Sequence, residues 1–220
     1  MNVPIRGLLW AGMLVICGGV GLADEPKPEF HNSERASGES LPPWESTDEQ
    51  GLPWKSSDHV GKKILVLYFY PGDFTGGCVK QAQAFREGLT KLEEQGVELV
   101  GVSGDEVSTH KLFKESHDLK HTLLSDTKGE LAKSLGIPVG RGGNVRARTP
   151  DGKLLPQPMR QPDGTASPWN AESSLLHRPV TLARWTIILS RDGEIASVRR
   201  NVNPASDAQE VLAIVASLVQ

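Results

Sequence analysis

An unbroken apolar run, Ile64 to Tyr70 (ILVLYFY), is the most strongly patterned part of the chain. A continuous run of β-branched and aromatic residues indicates a strand that is covered on both faces of a sheet. The following residues 78–94 change to a helical pattern, in which apolar side chains recur on one face. Gly96 ends this helix, and the segment Val97 to Ser103 (VELVGVS) returns to strand character. The pattern therefore predicts a strand-helix-strand unit.

Helical and strand patterns continue to alternate towards the C-terminus. Further helices are predicted at residues 108–117 and 129–135 and after Ser206, and further strands at 121–126, 184–190 and 194–200. Arg191-Asp-Gly between the last two strands is a hairpin signal, and Ser206 with Gln209 predicts a capping box. The order β-α-β-α-β-α-β-β-α indicates an α/β fold with a mixed central β-sheet flanked by helices.

Two segments depart from this alternation. Residues 41–55 are predicted to hold short strands joined by a turn at Glu49-Gln-Gly. Residues 138–168 contain six prolines and five glycines, a composition that excludes a long helix or a central strand. We therefore expect a Pro/Gly-rich insertion without regular structure, at about 138–178, that serves as a functional loop or a mobile insertion.

The first residues form an uncharged apolar run, Leu8 to Ala23, which follows Arg6 and ends in small residues. This pattern predicts a secretory signal peptide over residues 1–23, and hence an exported protein, periplasmic or secreted. A retained membrane anchor and a lipid attached to Cys17 are the alternatives. The run is shorter than the ~20 residues of a spanning helix, so no stable membrane span is expected after cleavage. The polar residues 24–40 are predicted to be a flexible tether, which leaves 41–220 as the folded domain.

Composition narrows the class of function. The chain has 38% hydrophobic and 23% charged residues, with 24 Lys and Arg against 27 Asp and Glu. These values are typical of a globular protein and give no basic surface for nucleic acid. The two cysteines are Cys17 and Cys78. After cleavage only Cys78 remains, and an unpaired cysteine in an exported protein is a candidate reactive group.

Cys78 stands at the start of the first predicted helix, just after the carboxyl end of a buried strand. Open α/β sheets form their ligand crevice at that end of the strands. The unpaired amides and the positive end of the helix dipole favour a thiolate there, and Gly76 and Gly77 let the backbone approach a substrate closely. A buried structural thiol is the alternative, but the position of Cys78 favours reactivity.

The segment YFYPGDFTGGCVKQAQAFR resembles the peroxidatic loop of the peroxiredoxins. The pattern Pro-x-x-x-Thr-x-x-Cys of that loop is matched by Pro71, Thr75 and Cys78. The segments HTLLSD and ARWTIILSRDGEI are similar to the bacterioferritin-comigratory-protein, or PrxQ-like, branch of the AhpC/TSA family. The resemblance covers about residues 60–137 and 180–220 and implies a thioredoxin-like fold.

The resemblance also implies a role for each matched residue. Cys78 corresponds to the peroxidatic nucleophile, and the hydroxyl of Thr75 to the group that orients the peroxide. Pro71 corresponds to the residue that shields the thiolate from water. Arg184, at the start of the strand before the hairpin, supplies a cation for the thiolate and donors for the peroxide oxygens. Gln81 matches a position that helps to place this arginine.

The implied activity is the thiol-dependent reduction of hydrogen peroxide or small organic hydroperoxides through a Cys78 sulfenic acid, without a cofactor. Gln83 stands where many relatives have a resolving cysteine. We therefore expect a one-cysteine cycle in which an external thiol, a thioredoxin-like protein or a small thiol, reduces the enzyme as a monomer or homodimer. Gly76 replaces the usual proline after the motif threonine, which is expected to loosen the loop.

Two other functions stay open from the sequence. An exported thioredoxin-like thiol-disulfide protein would need a second cysteine in Cys-x-x-Cys, where this chain has Gln81. A non-catalytic redoxin-fold module would bind partners through residues 138–168. A metal site is not expected, because His117 and His121 have an i,i+4 spacing but His121 is predicted to begin a strand.

Overall fold

A mixed β-sheet is built around the apolar run that starts at Ile64. The computed structural model describes residues 38–149, 151–154 and 175–219. Its strands are β1 (Glu45–Asp48), β2 (Pro53–Lys55), β3 (Ile64–Phe69), β4 (Val97–Ser103), β5 (Thr122–Ser125), β6 (Val139–Arg146), β7 (Leu175–Leu182), β8 (Trp185–Leu189) and β9 (Ile195–Arg200). Its α-helices are α1 (Gly76–Glu94), α2 (Val107–His117), α3 (Glu130–Ser134) and α4 (Asp207–Leu218), and Ser56–Asp58 form one 3-10 turn.

Seven of these strands form the central sheet, in the order β2-β1-β5-β4-β3-β8-β9. Strand β4 pairs in parallel with β3 on one side and with β5 on the other. Strand β1 pairs antiparallel with β5, and β8 pairs antiparallel with β3. The predicted mixed α/β architecture is therefore confirmed. The carboxyl ends of β3 and β4 lie at the same edge of the sheet, where the loop to α1 begins.

All six residues of β3 are buried, which explains why its sequence shows no polar alternation. Alternate residues pack on opposite faces of the sheet. Leu65 and Leu67 share one core with the hairpin of β1 and β2 and with α3. Ile64 and Val66 share the other core with the apolar faces of α1 and α4.

The structure confirms most of the predicted elements and corrects their ends. The short strands expected within residues 41–55 are β1 and β2, and α1 begins at Gly76, two residues before the predicted start. The predicted capping box at Ser206 is wrong, because its side chain makes no cap hydrogen bond. The Ser206 hydroxyl instead donates to the carboxylate of Glu210.

The expectation of no regular structure at 138–178 is also wrong. Residues 139–146 form β6, which pairs antiparallel with β7 in a separate two-stranded sheet, here called the β6–β7 arm. Neither of the two strands that the structure describes in this region, β6 and β7, joins the seven-stranded sheet. The predicted boundary at 178 falls inside β7, which continues to Leu182. Part of the predicted insertion, residues 155–174, lies outside the described residues.

The predicted signal peptide and all but the last three residues of the predicted tether also lie outside the described residues. Those three residues are attached to the domain. The amide of Gly38 donates to the carbonyl of Ile195, and the amide of Ile195 donates to the carbonyl of Glu39. Within the part of the chain that the structure describes, no helix has the length and apolar character to span a membrane.

A tyrosine-histidine pair crosses the centre of the sheet. Gly101 of β4 lies opposite Tyr68 of β3, and a Cβ at position 101 would lie 2.7 Å from the Tyr68 hydroxyl oxygen. Glycine therefore leaves the space through which the ring reaches His121, whose Nε2 is 2.7 Å from that oxygen. Burial, and next the charge of Lys114, lower the pKa of His121 to about 3.

The buried neutral His121 predicts a loss of stability in acid. As the pH falls below 6.5, the unfolded chain binds a proton that the folded protein binds only near pH 3. The free energy of unfolding must therefore decrease over this range. His121→Gln keeps a partner for Tyr68 but does not titrate. From pH 6.5 to about 4.5, urea unfolding should show the wild type losing on the order of 2 kcal/mol more than this variant.

The matched control is His177→Gln, because His177 is exposed. Its free energy of unfolding should follow the wild-type pH dependence. Equal losses in the wild type and both variants would contradict a neutral His121.

Candidate active site

Cys78 lies in the first turn of α1, at the carboxyl edge of the sheet. Thr75 is the N-cap residue, so Cys78 is the third residue of the helix. The Cys78 residue is only 1% exposed. Its Sγ accepts a hydrogen bond from Nη2 of Arg184 at 3.2 Å. A guanidinium and the positive end of a helix both stabilise negative charge, and both lie beside the sulfur here.

Arg184 reaches the thiol from the residue just before β8. Its Nη1 donates to Oε1 of Gln81, which is fully buried one turn after Cys78. The two hydrogen bonds point the two ends of the guanidinium towards the two helix residues. A Cβ at Gly77 would lie 3.3 Å from Nη2 of Arg184, so the glycine leaves room for the guanidinium. The structure thus brings Cys78, Gln81, Gly77 and Arg184 together.

Asp207, the first residue of α4, holds Gln81 from the other side. Its Oδ2 accepts from Nε2 of Gln81 at 2.6 Å and from the hydroxyl of Thr186 at 2.8 Å. Its Oδ1 accepts from Arg199. Asp207 therefore fixes which way the Gln81 amide points and leaves Oε1 to face Arg184. Sequence analysis missed this residue, because an acidic residue in the first turn of a helix is common on dipole grounds alone.

The loop from Pro71 to Thr75 connects β3 to α1. The hydroxyl of Thr75 donates to the carbonyl of Gly72 at 3.0 Å, and the Asp73 amide donates to Oδ2 of Asp105 at 2.8 Å. These bonds restrict the loop that Gly76 was expected to loosen. Among the described contacts, Thr75 makes no hydrogen bond to Cys78. Half-buried Pro71 opens the loop, and its shielding role stays a prediction.

Phe74 in the same loop has a φ of 58°. A bulky residue in the left-handed region costs about 1 kcal/mol or more, and it persists only where the surroundings hold it. The Phe74 ring is buried and packs edge-on against Phe113 of α2, with 5.1 Å between ring centroids. The packing of this side chain therefore helps to set the backbone ahead of Cys78.

A buried ionic cluster lies beneath the loop. Asp73 accepts from the Tyr70 hydroxyl at 2.8 Å and lies 2.8 Å from Nδ1 of His110. Asp105 accepts from Nε of Arg178 at 2.9 Å. No member of this cluster was predicted from the sequence, because its ionic partners, Asp73 with His110 and Asp105 with Arg178, lie 37 and 73 residues apart.

Burial and the charges within the cluster shift the pKa values of Asp105 and His110. Burial, and next the charge of Asp73, raise the pKa of Asp105 to about 6, which Arg178 opposes. Burial lowers the pKa of His110, but the charge and hydrogen bond of Asp73 outweigh burial and raise it overall. His110 also faces the carbonyl of Leu124 with Nε2, at 3.1 Å. Because both ring nitrogens face acceptors, the doubly protonated ring fits this position.

No metal centre is found in the described part of the chain, where no group of three His, Cys, Asp or Glu side chains could hold an ion. The two histidines with i,i+4 spacing serve other contacts. His117 packs against Phe113 with ring centroids 4.8 Å apart, and His121 faces Tyr68.

Similarity to known proteins agrees with this geometry. The model of the AhpC/TSA family matches residues 37–158. Chloroplastic peroxiredoxin Q from Sedum lineare is 41% identical over 111 residues, which are 50% of this chain and 59% of the relative. The same protein from Suaeda salsa is 43% identical over 110 residues, which are 50% of this chain and 51% of the relative. The chain thus spans between half and three fifths of the length of these curated relatives.

Solved structures support the fold. Peroxidoxin BcpB from Mycobacterium tuberculosis superposes with a TM-score of 0.61 and 24% identity over 84% of this chain and 98% of its own. A mutant of PrxQ from Xylella fastidiosa gives a TM-score of 0.63 and 21% identity over 86% and 99%. These neighbours confirm the predicted thioredoxin-like fold. Because the family model matches more than half of its residues, the chain belongs to the AhpC/TSA family, in the PrxQ-like branch that the peroxiredoxin Q relatives represent.

Proposed function

We propose that the protein is a thiol-dependent peroxidase that reduces hydrogen peroxide or small organic hydroperoxides at Cys78. The observation that carries the proposal is the 3.2 Å contact between Nη2 of Arg184 and Sγ of Cys78 at the start of α1. Membership of the AhpC/TSA family and the similarity to peroxiredoxin Q proteins support it. One structural neighbour, a bacterioferritin comigratory protein from Xanthomonas campestris, is described by its alkyl peroxide reduction activity.

The geometry supports nucleophilic attack by the thiolate on one peroxide oxygen. A sulfur-oxygen bond forms while the oxygen-oxygen bond breaks, which leaves Cys78 sulfenic acid and releases water or an alcohol once the departing oxygen takes a proton. Arg184 and the free amides of the first helical turn stabilise the negative charge on that oxygen. In this proposal the Thr75 hydroxyl orients the peroxide and Pro71 limits access of water.

The return to the thiol needs an external reductant. Within the described residues Cys78 is the free cysteine, and residue 83, on the same helix, is glutamine. A first external thiol attacks the sulfenic sulfur, forms a mixed disulfide and releases water, and a second thiol then releases Cys78 with an external disulfide. A thioredoxin-like protein or a small thiol fits this role, and the proposed enzyme, a monomer or homodimer, uses no cofactor.

Export to the periplasm or the cell exterior is the localisation we propose. It is supported by the basic, apolar and small-residue pattern of residues 1–23. A thiol-disulfide reductase is less well supported, because Gln81 fills the second cysteine position and is buried in contact with Arg184 and Asp207.

Replacement of the nucleophile tests the proposal directly. Cys78→Ser should abolish peroxide consumption while the protein keeps its fold, because a serine hydroxyl in the same space forms no sulfenic acid. The measurement treats the reduced protein with one equivalent of hydrogen peroxide, traps sulfenic acid with dimedone and weighs the product. Cys17→Ser, made in the uncleaved full-length chain, is the matched control and should form the adduct at the wild-type rate. Retained turnover by Cys78→Ser would refute the assignment.

Asp207 holds Gln81, which in turn holds Arg184. Exchanging the amide and the carboxylate between positions 81 and 207 should therefore restore a reaction rate that either single substitution lowers. Gln81→Glu places two carboxylates together, and Asp207→Asn turns an amide donor towards a donor of Gln81 or Arg199. Each single variant should slow the reaction of Cys78 with peroxide about tenfold, the effect of one hydrogen bond to a charged group. In the double variant, the new amide at position 207 donates to the new carboxylate at position 81, while the carbonyl of that amide accepts from Arg199. The rate should return to within about threefold of the wild type.

The measurement is the single-turnover rate of sulfenic acid formation, with thermal stability recorded beside it. Glu210→Gln is the matched control, because Glu210 also binds Arg199 but lies outside the contacts of Gln81. A double variant whose rate equals the product of the two single losses would show that Asp207 does not act through Gln81.

A further inference from the structure

The β6–β7 arm makes a buried ionic contact with the loop that carries Cys78. Arg178 of β7 is only 4% exposed. Its Nε donates to Oδ1 of Asp105 at 2.9 Å, and its Nη2 donates to the carbonyl oxygen of Asp73 at 2.8 Å. Asp73 belongs to the loop between β3 and α1, five residues before Cys78. The guanidinium of Arg178 thus links three segments: the arm, the residues that follow β4, and the backbone of the loop before α1.

Two glycines allow this close approach. Gly72 has a φ of +149°, and a Cβ there would overlap the guanidinium of Arg178. A Cβ at Gly142 of β6 would overlap the carbonyl oxygen of Arg178. Any other residue at either position would displace the guanidinium or the strand that carries it. The contact between the arm and the loop therefore depends on a glycine in the loop, Gly72, and on a glycine in the arm, Gly142.

The positive charge of Arg178 compensates buried negative charge beneath the loop. Asp73 and Asp105 are both fully buried, and Nδ1 of His110 lies 2.8 Å from the Asp73 carboxylate. A buried carboxylate without a compensating charge is costly. Removing the guanidinium would therefore weaken the bonds that hold the loop as well as its own contact.

The loop leads directly into the first turn of α1, so a movement of the loop also moves the backbone around Cys78. Because the Cys78 residue is 1% exposed, a small peroxide fits the closed arrangement more readily than a thiol carried on another protein. A reductant sulfur must reach bonding distance of Sγ, so a bulky thiol requires the loop to move away. The bonds from Arg178 to Asp73 and Asp105 oppose that movement.

We propose that Arg178 is a positioning residue that holds the 71–78 segment closed, favouring reaction with peroxide and restricting bulky thiols at the oxidised sulfur. The proposal rests on the proposed peroxidase function, and it adds a determinant of which reductants the enzyme accepts. Loss of Arg178 then acts in opposite directions on the two half-reactions. It slows sulfenic acid formation and speeds attack by a protein thiol on the sulfenic sulfur.

The first measurement does not depend on peroxidase activity. The reduced protein is labelled at Cys78 with iodoacetamide and, separately, with a polyethylene-glycol maleimide, and each product is weighed. A bulky reagent reacts only with the open loop, whose population rises when a buried charge-assisted contact is lost. Arg178→Gln should therefore increase the maleimide rate about tenfold or more, and the iodoacetamide rate by less. Arg141→Gln, an exposed arginine of the same arm, should label like the wild type.

The second measurement separates the half-reactions. In Arg178→Gln the rate of sulfenic acid formation with hydrogen peroxide should fall. Reduction of the sulfenic acid by reduced thioredoxin should become faster relative to reduction by dithiothreitol. Arg178→Lys keeps the charge but lacks the fork that joins two acceptors, so it should lie between the wild type and Arg178→Gln in both experiments.

The outcomes decide the proposal. A folded Arg178→Gln or Arg178→Lys protein with wild-type maleimide labelling overturns it, as do two half-reactions slowed by the same factor. If Arg178→Gln does not fold, Arg178→Lys decides, and failure of both to fold shows a structural role only. A wild-type protein that forms no sulfenic acid refutes the peroxidase function, while the labelling ratio still tests the control of loop opening.

Discussion

The site depends on a half-buried guanidinium that donates a hydrogen bond directly to a thiol sulfur. Arg184 shares its donors between Gln81 and Cys78, and the carboxylate of Asp207 behind Gln81 is already matched by Arg199. The positive charge of Arg184 therefore faces the sulfur, where it can stabilise negative charge that develops during reaction. Helix α4 and strands β8 and β9 all contribute to this one contact, so the packing of the sheet sets the chemistry of Cys78.

Two networks meet at the start of α1 from different parts of the chain. One comes from α4 and β8 through Gln81 and sets the position of the cation. The other comes from the β6–β7 arm and β4 through Arg178 and sets the loop ahead of the nucleophile. Cys78 lies between them, in the first turn of the helix. The strained backbone of Phe74 fits this arrangement, because such a conformation persists only where neighbouring contacts determine it.

The sequence alone predicted what is encoded locally. The apolar run of β3, the helical face of α1 and the Pro71–Cys78 motif are continuous in the chain, and all three predicted the right elements or the right edge of the sheet. The β6–β7 arm was missed because its glycines and prolines disfavour strands locally. Its strands form because β6 and β7 pair with each other. Arg178 and Asp207 were missed for a related reason. Their roles come from partners that lie 73 and 126 residues away, and no short motif records such distances.

The extent of the family match bears on how the site is assembled. The matched residues 37–158 include the loop and Cys78, but Arg178, Arg184 and Asp207 all follow them. The nucleophile, its helix and the acceptors Gln81 and Asp105 thus belong to the part that the family model describes, while the two arginines and the carboxylate behind Gln81 come from the remainder. The sequence match over residues 37–158 would be unchanged if Arg178, Arg184 and Asp207 were replaced. The peroxidase proposal therefore depends on the contacts around Cys78, since those contacts supply the charge and the positioning that the reaction requires.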